Sequence, residues 1–223
     1  MRIDELLKRR DFLTGLASSA GAIVLLPQVT ACSTGTTRGQ VKVAKGILDV
    51  PVVKPVDWDP IAFNRNRGNQ GAIPESYRGS INGPDGEMKH LGKHLPYIVD
   101  VTASPEGYMP LMWGDPSKGY ARHPNAVPGA DNNHEGHWYN WIRVRKAIDG
   151  DAEELESAFT SWPAAKVGDT GRYLTLGGGD PMADGGRNTI YLVAIPDEIE
   201  RGDTVRVWSH CLTHGEYVDF ITV

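Results

Sequence analysis

Cysteine is almost absent from this 223-residue chain, which carries only Cys32 and Cys211. Two thiols cannot make the disulfide framework of a small secreted scaffold. Basic charge is also short: the formal net charge is −5, so the broad cationic face that nucleic acid requires is lacking. No apolar run reaches the roughly 20 residues of a membrane span. Long amphipathic patterns are few and internal repeats are missing, whereas 26 glycines and 15 prolines favour short strands joined by turns. Histidine is rationed by position. None of the seven precedes residue 90, and none lies between 138 and 209.

What is present begins with an export signature. Lys8-Arg9-Arg10-Asp11-Phe12-Leu13 resembles a twin-arginine signal, and the apolar stretch from Leu16 to Leu26 reads as its hydrophobic region rather than an anchor. Val29-Thr30-Ala31-Cys32 resembles a bacterial lipobox, in which Cys32 is lipidated after cleavage; the alternative is an ordinary signal-peptidase cut beside a free cysteine. The expected organisation is a signal peptide over 1–31, a tether over 32–57 and a folded domain over 58–223. The expected location is the periplasm or cell envelope, with the membrane reached through a lipid anchor. Twin-arginine substrates cross the membrane folded, often with a cofactor already inserted. With Cys32 lipidated, Cys211 is the one remaining thiol, a liability in an oxidising compartment unless it is buried or ligated.

Short strands are predicted at Gly46–Val53 (an edge), Leu95–Val101, Gly136–Lys146, Arg172–Leu176, Asn188–Ile195, Thr204–His210 and Tyr217–Val223. In the Gly136–Lys146 strand, alternation places Trp138, Ile142 and Val144 on one face, opposite His137, Tyr139, Trp141, Arg143 and Arg145. Asp151–Phe159, rich in Glu, Leu and Ala behind an aspartate, predicts the one short helix. Residues 58–92, with many Asn, Gly, Pro and Arg, predict a long ordered loop. Gly177-Gly178-Gly179 lacks the Lys-Ser/Thr of a phosphate loop and predicts a turn. Many short strands at turn-rich spacing predict an all-β sandwich with long loop insertions.

The histidines fall into three groups: His90 and His94; His123, His134 and His137; His210 and His214. Each group sits at a strand end or in a loop feeding one, the arrangement expected when separate segments converge on one metal. Imidazole and thiolate are suited to iron, copper and zinc. Cys211-Leu212-Thr213-His214, closed by Gly215, bends the chain so that sulfur and imidazole can meet one ion. His210 precedes Cys211 on a strand and is expected on the opposite face. His90 is expected in a loop, and either His134 or His137 can complete the middle group.

Three motifs together resemble the superoxide reductase family (the neelaredoxin and desulfoferrodoxin iron domains): Lys93-His94-Leu95-Pro96, then His123-Pro124 followed by His137-Trp138-Tyr139-Asn140-Trp141-Ile142, then Cys211-Leu212-Thr213-His214-Gly215. The resemblance covers roughly residues 88–223. It implies an immunoglobulin-like β-sandwich holding one mononuclear non-haem iron, with His94, His123, His137 and His214 equatorial, Cys211 axial and a sixth position open to superoxide. The Trp-Ile register of the second motif selects His137 over His134. Lys93 matches the lysine that attracts the substrate. The implied activity is that of an oxidoreductase, one-electron reduction of superoxide to hydrogen peroxide. No cysteine quartet is present for an accessory iron centre, so electrons would come from an external donor. Three features depart from the family: Gly92 replaces a glutamate, Asn125 replaces a methionine, and the interval from Pro124 to Gly136 is longer. An iron or copper carrier, or an electron-transfer protein on the same scaffold, is the alternative, and a homo-oligomer is left open.

Overall fold

In the computed structural model, residues 49–67, 88–101, 104–130 and 136–223 are described, all within one compact unit spanning Lys42–Val223. The segment expected to be a signal peptide, Cys32 and His134 lie outside them. The described strands are β1 (Pro96–Ile98), β2 (Tyr108–Trp113), β3 (Tyr139–Lys146), β4 (Glu154–Ala158), β5 (Arg172–Thr175), β6 (Thr189–Ala194), β7 (Thr204–Cys211) and β8 (Gly215–Thr222). They form two antiparallel four-stranded sheets, ordered β1-β2-β6-β5 and β4-β3-β7-β8. Lettered in chain order, these are the A-B-E-D and C-F-G sheets of an immunoglobulin-like sandwich with a C′ strand added. The all-β expectation holds.

Alternation along β7 shows how the sheet serves the core. Val205, Val207, Ser209 and Cys211 are buried and face inward, while Trp208 and His210 are half-buried on the outer face. The core gathers Met109, Leu111 and Trp113 of β2, Tyr139, Ile142 and Val144 of β3, and Tyr191 and Val193 of β6 around them. At one edge the sheets are tied directly, the Ala194 amide donating to Ser157 Oγ at 2.8 Å.

Four local expectations are corrected. Asp151–Phe159 is not a helix: β4 occupies its centre, pairing Leu155 with Val144 and Glu156 with Arg143. Cross-strand pairing outweighs the helix propensity of Glu, Leu and Ala. Among its described residues, the segment read as loop carries two short helices, α1 (Pro60–Asn66) and α2 (Met88–Gly92), and His90 lies on α2. Asp59 caps α1 by accepting from the amides of Ile61 (2.9 Å) and Ala62 (3.0 Å), with Pro60 in the first helical position. Of the expected edge strand Gly46–Val53, residues 49–53 carry no strand and 46–48 lie outside the described residues. Finally, the register of β3 shifts between Tyr139 and Trp141, so Tyr139 joins Ile142 and Val144 inside instead of facing out.

Helix α1 seals the edge strand β8. Asn64 lies fully buried against it, its Nδ2 donating to the Val218 carbonyl at 2.7 Å and its Oδ1 accepting from the Val218 amide at 2.8 Å. An open strand edge is a pairing hazard, and one side chain here satisfies both groups of the exposed register. No described helix is long and apolar enough to cross a membrane. Asn64→Ala leaves a buried N–H and C=O without partners and is expected to lower stability by about 1–3 kcal/mol in urea unfolding; an unchanged midpoint would refute the sealing role.

Candidate metal centre

Five side chains from four separate segments meet at one end of the sandwich. His94 follows α2, its amide bonded to the Leu91 carbonyl at 2.9 Å. His123 is held by its own amide on the Trp113 carbonyl at 2.9 Å, and His137 by a two-way bridge with Ala126, both bonds 2.9 Å. Cys211 ends β7, and His214 sits in the turn to β8, its amide on the Cys211 carbonyl at 3.2 Å. Thr213 Oγ1 donates to the Gly136 carbonyl at 3.1 Å, binding that turn to the segment carrying His137. Gly136 has φ +91°, and a Cβ there would meet the Trp138 ring at 2.0 Å, so this entry into His137 requires glycine.

The donor atoms of His94, His123, His137, Cys211 and His214 all lie within 4.8 Å of one another; His94, His123, Cys211 and His214 are buried, and His137 keeps part of its surface. The four imidazoles form a closed circuit of near-perpendicular neighbours. Ring centroids are 4.8 Å apart for His94–His123, 4.4 Å for His123–His137, 4.6 Å for His137–His214 and 4.7 Å for His214–His94. Cys211 Sγ lies 3.5 Å from His123 Nε2 and 3.7 Å from His214 Nδ1.

Protonation decides what such a cluster is for. His94 Nδ1 faces the His90 carbonyl at 2.6 Å; a carbonyl only accepts, so the ring hydrogen is on Nδ1 and the Nε2 lone pair points into the cluster. That Nε2 is 2.9 Å from His214 Nδ1, which is also 3.1 Å from His137 Nε2. One nitrogen cannot satisfy both neighbours with a single hydrogen. A cation shared by all three removes the conflict. Metal–nitrogen bonds of about 2.0–2.1 Å and metal–sulfur bonds of about 2.3 Å place opposed donors roughly 4.0–4.4 Å apart, so the donors, within 4.8 Å of one another, need to close by only about half an ångström onto one ion. The donor set therefore fits one transition-metal ion.

Burial keeps the imidazoles neutral and ready to ligate. It holds His94 well below its ordinary range, helped by His214 and Lys93, and His123 likewise, helped by His137 and His94. Burial lowers His137 to about 3, and lowers His214 to about 2 with help from His137. The Cys211 thiol moves the other way. Burial pushes it up to about 12, opposed by the backbone amides of His214 and Thr213 and by Lys93. Lys93 itself is half-buried, and its charge acts on all five donors.

All five expected ligands are thus brought together. His210 is on the outer face, as its place in β7 requires. Tyr217 supports the centre without any signal in the motifs, and Asn125 and Gly92, noted there only as departures, prove to be structural. Tyr217 stacks under His94 (4.3 Å, 10°) and donates to the His214 carbonyl at 3.1 Å. Its only cue was its place three residues after His214 on a strand of alternating pattern. Asn125 is a buried hub: its Nδ2 donates to the Gly186 carbonyl at 2.7 Å, and its Oδ1 accepts from Tyr191 Oη at 2.5 Å, which in turn accepts from the Tyr139 amide at 3.1 Å. Asn125, two residues after His123, is thereby locked to β6 and β3. Gly92 is equally constrained, since a Cβ there would fall 2.1 Å from the Tyr120 ring.

Comparison with family models, with curated proteins and with solved structures finds no match. The centre is therefore understood from its own geometry.

Two outcomes are expected. At pH 7 the imidazoles are already neutral and the thiol is protonated, so loading metal-free protein with one divalent ion should release one proton per chain, from Cys211, in a weakly buffered titration. Release of none would mean that sulfur does not bind. Gly92→Glu should lower stability by about 1–3 kcal/mol through overpacking against Tyr120, with Tyr120→Ala recovering part of the loss; a single variant as stable as the parent would show that the contact is not limiting.

Proposed function

We propose that this protein is a lipid-tethered, non-haem iron oxidoreductase of the superoxide reductase type, exported by the twin-arginine route and acting at the cell envelope. The observation that carries the proposal is the buried set of four neutral imidazoles and one thiol, supplied by the three motifs that resemble that family. His94, His123, His137, His214 and Cys211 would hold the iron. When bound, iron supplies a one-electron couple whose potential is set by the thiolate.

The remaining roles belong to the chain. The His90 carbonyl fixes the His94 tautomer, and Tyr217 holds that ring flat, so the donors are oriented before the ion arrives. Lys93, whose charge already reaches every donor, attracts the superoxide anion. Superoxide takes one electron from an external donor and two protons from water to become hydrogen peroxide. Gly92 offers no carboxylate to the centre, and Tyr120 fills the room a side chain would need. The approach for a small anion on this side is therefore free of competing negative charge from that position.

Metal analysis of protein folded in its native host should find one iron per chain, with a thiolate-to-iron absorption band on oxidation. Stoichiometric copper would overturn the iron assignment in favour of a copper carrier. Cys211→Ser should abolish the band. Mixing the reduced protein with pulsed superoxide should oxidise it rapidly. Lys93→Ala should slow that step by roughly tenfold and flatten its dependence on ionic strength. Absence of fast oxidation in the parent protein would end the catalytic assignment.

A further inference from the structure

Each turnover of the proposed reaction needs one electron from outside the chain, since two cysteines cannot build a second thiolate-bound iron centre. The outer face of β3 and β7 lies directly behind Cys211. Strand alternation turns Cys211 inward and His210, joined to it by one peptide bond, outward. The His210 ring stacks on Trp141 (5.6 Å, 11°), and Trp141 meets Trp208 edge-on at 5.7 Å. All three are half-buried and so retain a surface.

This stack is fixed in place. His210 Nδ1 is bonded to Asn140 Oδ1 at 2.6 Å, and the Arg143 guanidinium lies over both indoles, 4.7 Å from Trp141 and 5.2 Å from Trp208. The register shift in β3 makes the arrangement possible. On one side of it Tyr139 packs inward, 4.7 Å from His123; on the other Trp141 emerges against His210. The inner aromatic group of Trp113, Tyr139 and Tyr191 is fully enclosed and offers a donor no surface.

We propose that Trp141 and His210 form the route by which an external one-electron donor reduces the centre. The path runs from the indole to the stacked imidazole, then through the His210–Cys211 peptide to the sulfur. No bond forms or breaks: one electron leaves the donor, which is oxidised by one, and the centre is reduced by one. The indole and imidazole keep their protons and act as a bridge. The route rests on the redox-active centre proposed above.

The test uses the iron-loaded full chain with Cys32→Ser and Glu156→Cys, carrying a ruthenium–polypyridyl sensitiser on the new cysteine. Glu156 is exposed and pairs with Arg143 at 2.7 Å, so the label sits beside the stack. Flash excitation with a sacrificial reductant should inject an electron, read as loss of the thiolate-to-iron band. Trp141→Leu and His210→Leu should each slow injection by an order of magnitude while iron content, the oxidised band and the rate of oxidation by superoxide stay as in the parent. Trp141→Phe, which keeps a ring in the stack, should restore most of the rate, and Tyr173→Phe on the other sheet should leave it unchanged. Injection at the parental rate in both leucine variants overturns the route alone. A parent centre that accepts no electron overturns the redox assignment and the route with it.

Discussion

Everything at this end of the molecule follows from bringing four imidazole nitrogens and one sulfur within 4.8 Å of one another inside a β-sandwich. Without a cation, such a cluster works against folding: three nitrogens compete for too few hydrogens, and burial forbids relief by charging the rings. It persists because each donor is pinned by backbone bonds formed for other reasons. His123 hangs from the end of β2, His137 from its bridge with Ala126, and Cys211 and His214 from the β7–β8 turn. The scaffold bears the cost of preorganisation, which a bound ion then offsets.

A second constraint sits at Asn140. By adding one residue to β3, the chain sends Tyr139 into the core beside His123 and Trp141 out onto His210. The carbonyl of Asn140 meanwhile accepts from the Phe159 amide at 2.9 Å, and its side chain holds His210. One irregularity therefore serves the inner wall of the centre and the outer aromatic face at once. Such bulges commonly re-aim side chains next to functional sites.

Much of the fold was legible because strands leave a period-two trace. Thr204–His210 and Asn188–Ile195 were readable from their β-branched and aromatic residues. Tyr108–Trp113 was not, since Pro110 interrupts its pattern and Met109, Leu111 and Met112 do not alternate with polar groups. Glu154–Ala158 was misread because composition favours a helix, while its ion pairs from Glu156 to Arg143 and Glu154 to Arg206 exist only across strands. Asp59-Pro60 was a readable helix start that the surrounding asparagines and arginines obscured. The edge-sealing role of Asn64 could not be read, because its partner Val218 is 154 residues away.

The sequence by itself determined the donor set. The rationing of histidine to three places and the single late thiol, with the motifs around them, named His94, His123, His137, Cys211 and His214, all of which meet. Composition and turn spacing likewise determined an all-β sandwich. Only the tertiary structure decided how the donors present themselves. The His90 carbonyl places the hydrogen on His94 Nδ1, burial keeps the imidazoles neutral, and Tyr120 closes the space beside Gly92. These are consequences of distance between residues remote or unmarked in sequence, and residue type alone carries no record of them.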